Sequence, residues 1–165
     1  MKLAEFDIDF IKFKNETDQS HYKLENAFFG LKENSLYTSC DIDVKVVCRR
    51  NEDNIKLNYE LKGFVFSQCE RCLKDIKLSI DASEEEVLKL TSNDTLLKEE
   101  NYISINHQVY NIYDSLYEYI CLNMPTRKIC ELSESKEECK IDHQTPDVDD
   151  DIVDERWAEL RKLIK

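Results

Sequence analysis

The chain has 165 residues, of which 41 % are hydrophobic, and this length and composition are typical of one globular domain with a buried core. Two glycines and two prolines are too few for a glycine-rich phosphate-binding loop of the Walker or dinucleotide-binding type. A net charge of −12 argues against binding of nucleic acid through a broad basic face.

The acidic residues are concentrated in the second half of the chain. Residues 1–80 carry a net charge of −1 and residues 81–165 a net charge of −11, which suits a solvated tail or a basic protein partner. No apolar run approaches the roughly 18 residues that span a bilayer. Acidic side chains stand near the start of the chain, where a signal peptide has an apolar stretch. We therefore expect a cytoplasmic protein.

Alternating apolar side chains predict a β-hairpin in the first half. The first run ends at Cys48, a turn-like segment follows at 50–54, and alternation resumes over 55–61. Gly63 predicts a bulge or a close backbone approach, after which the strand continues over 64–66. The residues of the first run are Leu36, Thr38, Cys40, Ile42, Val44, Val46 and Cys48.

A second hairpin is predicted next, with two cysteines at its tip. Residues 69–72 (Cys-Glu-Arg-Cys) lie between the strand that ends near residue 66 and a new alternating run over 76–80. A short additional strand is predicted over residues 6–10. Residues 21–30 are ambiguous, although we expect Phe28 and Phe29 to pack against the sheet.

The second half predicts less regular structure until a helix appears. Residues 83–86 resemble a helix-capping box, but the apolar residues that follow are too few to decide between helix and strand. We expect a loop over 91–101 and a short strand over 102–105. Apolar residues then recur at helical spacing from Val109 to Cys121, before Pro125. This is the longest predicted helix.

The patterns together predict an α+β fold with a mostly antiparallel β-sheet built from hairpins, one long helix and a short C-terminal helix. We expect residues 1–141 to form a single domain that carries the Cys-x-x-Cys knuckle, and residues 142–165 to form an acidic linker and a helical tail. The tail helix would begin at Asp154. Its apolar face would consist of Trp157, Leu160, Leu163 and Ile164.

The cysteines divide into core residues and candidate metal ligands. Seven cysteines cannot all pair, and clustered thiols in a reducing cytosol are more often metal ligands or core residues than disulfides. Cys40 and Cys48 share a strand face with branched apolar residues, and Cys121 ends the apolar stripe of the helix. We therefore predict that these three thiols lie in the core.

Cys69 and Cys72 have the spacing of half a structural zinc site, since two thiolates in a tight turn can bind one ion. A tetrahedral site needs a second pair, for which Cys130 and Cys139 are the candidates, with His143 in reserve. The gap between Cys130 and Cys139 is longer than usual for paired ligands. Basic residues that could offset the thiolate charge are Arg71, Lys74, Arg127 and Lys128.

Two alternatives to zinc stay open. A thioredoxin-like redox pair would begin a helix within a βαβ unit, whereas strand-like alternation follows Cys72. The thiols could also be unliganded in a well-packed turn. The three histidines, at 21, 107 and 143, are scattered, and no pair of acids stands out in so acidic a chain. We therefore expect no enzyme activity.

With these residues in hand, the sequence resembles the bacterial and plastid YceD family, the large ribosomal RNA subunit accumulation proteins. The run 69–73 matches the family's Cys-x-Arg-Cys signature, and Leu122 to Pro125 match a Leu-x-x-Pro-like element that ends a helix. Cys130 and Cys139 match a Cys- or His-containing loop, which is longer here than in the family. The run 154–160 is similar to an Asp-Pro-Arg-Trp ending, with Glu155 in place of proline.

The resemblance implies a non-enzymatic role in accumulation of large-subunit ribosomal RNA and in ribosome assembly. The partner it implies is a ribosomal protein or an assembly intermediate of the large subunit. Ribosomal RNA is a second candidate, through basic residues that we expect near the knuckle: Arg49, Arg50, Arg71 and Lys74. The alternatives are a general zinc-ribbon interaction adaptor and a thiol redox protein.

Overall fold

The computed structural model describes residues 2–13, 17–32, 35, 37, 39–99, 101–106, 109–136 and 139. Over these residues the chain forms seven strands and one α-helix, together with short 3₁₀ turns. The strands are β1 (Asp7–Asp9), β2 (Thr17–Leu24), β3 (Ser39–Arg50), β4 (Asn54–Gln68), β5 (Asp75–Thr91), β6 (Tyr102–Ser104) and β7 (Val109–Asn111), and the helix is α1 (Tyr113–Asn123).

The main sheet has five strands in the order β2-β3-β4-β5-β6. Its first four strands are antiparallel neighbours, and β6 runs parallel to the end of β5. A separate antiparallel pair joins β1 to β7. The prediction of an α+β fold with a mostly antiparallel sheet is confirmed. The C-terminal helix and the linker predicted over 142–165 lie outside the described residues.

Both predicted hairpins are present. β3 and β4 pair from Ser39↔Phe66 to Arg50↔Ile55, and β4 and β5 pair from Gln68↔Asp75 to Asn54↔Lys89. The predicted start of the first strand, at Leu36 and Thr38, lies outside the described residues. The inward positions of both hairpins are buried, as the alternation predicted.

Gly63 makes a close backbone approach and not a bulge. The pairing register runs through it without a break, to Ile42 on one side and Ile80 on the other. Its φ is 153°, and a Cβ at this position would overlap the carbonyl oxygen of Asp41 and lie 2.7 Å from the Cα of Ile42. Only glycine fits this place in the sheet without strain.

Residues 83–91 belong to a strand, which settles the ambiguity of the sequence there. β5 continues past Ala82, and its inward side chains at this point are two carboxylates instead of apolar groups. The hydroxyls of Tyr59 and Tyr110 donate to Glu86 at 2.7 and 2.6 Å, and Asn123 of α1 donates to Glu84 at 2.8 Å. Hydrogen bonding to the helix and to a buried tyrosine therefore keeps these acids under α1.

The core lies between the inner face of the sheet and a cover formed by α1 and the N-terminal segment. Leu116 and Ile120 of the helix are fully buried, and the rings of Phe6 and Phe28 pack around Tyr113. Phe28 and Phe29 are buried, as expected. Cys40 and Cys48 are core thiols, as predicted, and burial raises the pKa of each to about 12.

Two element boundaries differ from the predictions. The helix begins at Tyr113 and not at Val109, because Val109–Asn111 pair with Asp7–Asp9 as a strand. The predicted strand over 6–10 is limited to Asp7–Asp9 for the same reason, with 3₁₀ turns on both sides. The ambiguous region before residue 30 contains β2. Within the part of the chain that the structure describes, no helix has the length and apolar character required to cross a membrane.

Candidate metal centre

A six-residue turn between β4 and β5 forms the knuckle. The backbone N–H of Cys69 donates to the carbonyl of Lys74 at 2.8 Å, and the N–H of Leu73 donates to the carbonyl of Cys69 at 2.9 Å. These bonds fold residues 69–74 tightly enough to bring both cysteines to the same side. Leu73 adopts a left-handed conformation, with φ of 58°. The two cysteines thus lie at a hairpin tip, as the sequence predicted.

The loop after α1 folds back onto the knuckle. The N–H of Glu70 donates to the carbonyl of Lys128 at 2.7 Å, and the Arg71 guanidinium donates to the Glu131 carboxylate at 2.8 Å. Cys130 begins a 3₁₀ turn over Cys130–Leu132, which directs its side chain into the buried space beneath the knuckle. The second pair of predicted ligands is thereby brought to the first.

Ser133 holds this loop in place, a role that no pattern in the sequence indicated. It is a buried polar residue, 5 % exposed, and its hydroxyl donates to the carbonyl of Lys77 at 3.2 Å. The N–H of Glu134 donates to the same carbonyl at 3.0 Å. The loop is therefore held to the first residues of β5. This attachment turns the chain back between Cys130 and Cys139, which explains how a long gap can still yield adjacent thiols.

The four sulfur atoms form one compact cluster. The Sγ atoms of Cys69 and Cys139 are 3.3 Å apart, as are those of Cys72 and Cys130, and all four lie within 4.8 Å of one another. A disulfide would require about 2.05 Å, so the thiols are free. A tetrahedral zinc site with Zn–S bonds of about 2.3 Å has S···S edges of about 3.8 Å. The donor set and its spacing could therefore hold a metal ion.

The environment of Cys69 favours a thiolate. Burial acts to raise its pKa, but backbone N–H donors from Cys72 and Arg71 and the neighbouring thiols outweigh this and lower the pKa to about 6. The pKa of Cys130 is raised, first by its contact with Cys72 and then by burial. The pKa of Cys139 is raised by its contact with Cys69. Negative charge in the cluster thus concentrates first on Cys69, as expected where thiols share protons.

The basic residues predicted near the knuckle divide into two groups. Arg71 and Lys74 belong to the knuckle itself, whereas Arg49 and Arg50 do not lie near it. Arg50 pairs with Ile55, at the opposite end of β4, about 40 Å away at the usual rise of a strand. That part of the sequence-based prediction is wrong, because the hairpin turn at 51–53 points away from the turn at 69–74.

The positions of the histidines and of the Cys-x-x-Cys motif bear on the alternatives to a four-cysteine metal site. His143 and His107 lie outside the described residues, and His21 lies on β2 at the far side of the sheet order from the knuckle. The Cys-x-x-Cys motif is followed by β5 and not by a helix, which is not the arrangement of thioredoxin-like redox pairs. Cys121 is half-buried on α1 and lies outside the four-sulfur cluster.

Comparison with known proteins gives one match. A family model described as "Large ribosomal RNA subunit accumulation protein YceD" matches residues 57–164, about two thirds of the chain. The matched range includes β4 from Leu57 onward, β5, α1 and all four clustered cysteines. No match was found among curated proteins or among solved structures.

Proposed function

Since this chain belongs to the YceD family of large ribosomal RNA subunit accumulation proteins, we propose that it is a non-enzymatic factor that supports accumulation of large-subunit ribosomal RNA. It would do so by assisting assembly of the large subunit in the cytoplasm. The family match over residues 57–164 carries this proposal. The four-cysteine cluster lies within the matched range and, in this proposal, would hold a contact surface for the partner.

The proposal includes one structural Zn²⁺ ion bound by Cys69, Cys72, Cys130 and Cys139. Four protein ligands leave no open coordination position for substrate or water, which is the pattern of structural zinc sites. The ion would join the hairpin tip to the loop after α1, two segments that also meet through the Glu70–Lys128 backbone hydrogen bond and the Arg71–Glu131 ion pair. Its role would be to hold these segments in one arrangement.

The proposed partner is a ribosomal protein or an assembly intermediate of the large subunit. Ribosomal proteins are basic as a class, and the net charge of −11 over residues 81–165 is complementary to such a partner. Ribosomal RNA within an assembly intermediate is the second contact that the proposal allows.

Depletion of the protein from its native cell tests the proposed function. Sucrose-gradient sedimentation should show a loss of large subunits relative to small ones, with precursors of the large subunit accumulating. Expression of the wild-type chain should restore the profile, whereas a Cys72→Ser variant should restore it poorly. A normal subunit ratio after complete depletion would rule out the assembly role and leave a general zinc-ribbon adaptor as the better description.

A further inference from the structure

The end of the molecule that carries the cysteine cluster is far less acidic than the remainder. We define the knuckle surface as residues 69–77 and 126–136, two segments joined by the Arg71–Glu131, Lys77–Glu134 and Glu70–Lys128 ion pairs. Its six basic and four acidic side chains sum to +2, and four thiolates with one Zn²⁺ would add about −2, so the surface is about neutral with the proposed ion bound. Because the whole chain is at −12, all other residues together carry −14. A polyanion would therefore meet least repulsion at the knuckle surface.

Three cations of the knuckle surface are exposed and form no ion pair with any described residue: Lys74, Arg127 and Lys136. Several lysines on the outer face of the sheet form ion pairs instead. Lys23 pairs with Asp41 and Asp43 there, and Lys62 pairs with Asp81. These sheet lysines are thus neutralised by neighbouring carboxylates, whereas three cations of the knuckle surface remain available to a ligand.

Leu73 lies at the tip of this surface with an exposed apolar side chain and a strained backbone. Its side chain is 72 % exposed, so it contributes little to packing, and its φ of 58° is one that a glycine would adopt without strain. Among the described residues, the two non-glycine residues with positive φ are Leu73 and Lys136, and both lie on the knuckle surface. Residues held in such conformations cluster at binding sites. Folding alone does not explain a leucine at this position.

We infer that the knuckle surface binds a single-stranded or loop segment of RNA. Lys74, Arg127 and Lys136 would contact successive phosphates, and Leu73 would pack against a base or sugar between them. Unpaired cations around one apolar side chain suit a polyanion with apolar faces, whereas a basic protein partner would be repelled here. The inference rests on the proposed function, and it specifies which part of the chain would touch RNA in an assembly intermediate.

Fluorescence anisotropy of the purified full-length, zinc-loaded chain with labelled 30-nucleotide RNAs, one unstructured and one hairpin, tests this inference. Three phosphate contacts predict a slope of about −2 for log affinity against log salt, or about a 20-fold loss from 50 to 200 mM salt. The variant K74Q/R127Q/K136Q should bind at least 10-fold more weakly at 50 mM salt and lose most of this slope. Binding that is absent, or that does not depend on salt, would overturn the inference.

The matched control is K2Q/R49Q/K98Q, which removes three exposed cations that lie elsewhere. It removes three positive charges, as the knuckle variant does, and should keep RNA affinity within about twofold of the wild-type value. Equal weakening by both triple variants would mean a non-specific charge effect and would contradict the inference. The zinc content of each variant should be measured, because knuckle cations that merely balance thiolate charge would alter zinc retention and leave RNA affinity unchanged.

Leu73→Gly separates binding from folding. Because glycine accepts the left-handed backbone, we expect Tm within about 3 °C of the wild-type value and RNA affinity reduced at least about threefold. Leu3→Gly, at another exposed leucine, should leave RNA affinity unchanged. Unchanged affinity in Leu73→Gly would remove Leu73 from the contact.

A photo-crosslinking amino acid at position 73, activated in cells, identifies the class of partner. Crosslinks to ribosomal RNA support the inference, and crosslinks to protein alone overturn it in favour of a protein contact. Failure of the inference is distinguishable from failure of the proposed function. If K74Q/R127Q/K136Q fully restores large subunits in depleted cells, the RNA contact is wrong while the assembly role stands. If depletion leaves subunit levels normal although the purified chain binds RNA, the assembly role is wrong while the RNA contact stands.

Discussion

The sulfur atoms of Cys69 and Cys139 lie 3.3 Å apart although 70 positions separate the two residues in sequence. The second pair with this spacing, Cys72 and Cys130, likewise joins the hairpin tip to the loop after α1. The cluster is therefore a junction between two segments that are distant in sequence. Its proposed metal would stabilise tertiary structure and not merely a turn.

Oxidation of the metal-free protein should reveal this pairing. With diamide as the oxidant, each pair of thiols loses two protons and two electrons to the azo group and forms one disulfide. We expect disulfides that join Cys69 or Cys72 to Cys130 or Cys139, because sulfur atoms of the two segments already lie 3.3 to 3.5 Å apart. Trypsin cleaves after Arg71 and Lys136, which separates Cys69 from Cys72 and Cys130 from Cys139, so non-reducing mass spectrometry assigns each bond. A dominant Cys69–Cys72 disulfide would contradict the described arrangement.

Protein purified without chelator should contain about one Zn²⁺ per chain. Cys139→Ser should lower the zinc content severalfold and lower Tm by about 10 °C or more, because the ion links the two segments. Elemental analysis and thermal unfolding provide the two readouts. Cys121→Ser is the matched control, since this half-buried thiol lies outside the cluster, and it should keep full zinc content. Metal content near zero in the wild-type chain would refute the zinc proposal.

Gly63→Ala should destabilise the sheet strongly. The added methyl group would overlap the backbone of Asp41 and Ile42 on the neighbouring strand, at a φ of 153°. We expect a loss of about 3 kcal/mol or more in the free energy of unfolding, measured by urea denaturation. Gly30→Ala is the control, because nothing lies within 4 Å of a Cβ at that position. Equal stability of the two variants would mean that the strands do not approach as described.

Glu86→Ala should cost about 1–3 kcal/mol, because it leaves the hydroxyl of the fully buried Tyr59 without its acceptor. Glu85→Ala removes a carboxylate from the solvent side of the same strand, where it pairs with Lys56 at 3.6 Å, and should change stability by less than about 1 kcal/mol. Urea denaturation gives both values.

Adding Tyr59→Phe to Glu86→Ala should recover part of the loss, because the unsatisfied hydroxyl is then absent. If the double variant is less stable than Glu86→Ala alone by the full cost of Tyr59→Phe, the two side chains are not coupled.

The two hairpins, the inward cysteines at 40 and 48 and the position of the Cys-x-x-Cys tip could be predicted from sequence. Each depends on neighbouring residues, since alternation fixes which face of a strand is buried. The prediction failed where distant residues decide the structure. Val109–Asn111 are a strand because Asp7–Asp9 lie beside them, and residues 83–91 are a strand because Tyr59, Tyr110 and Asn123 satisfy two inward glutamates.

At the candidate site, too, features that depend on neighbouring residues could be predicted from sequence, and features that depend on distant residues could not. That Cys69 and Cys72 share a turn could be predicted from their spacing, because a separation of three positions is a local property. Whether Cys130 and Cys139 reach them depends on Ser133 and Glu134, which bind the loop to the carbonyl of Lys77. This contact is formed by tertiary packing, which also places Arg50 at the far end of the sheet from the cysteines. Hydrogen bonds between segments distant in sequence leave no periodic pattern from which they could be predicted.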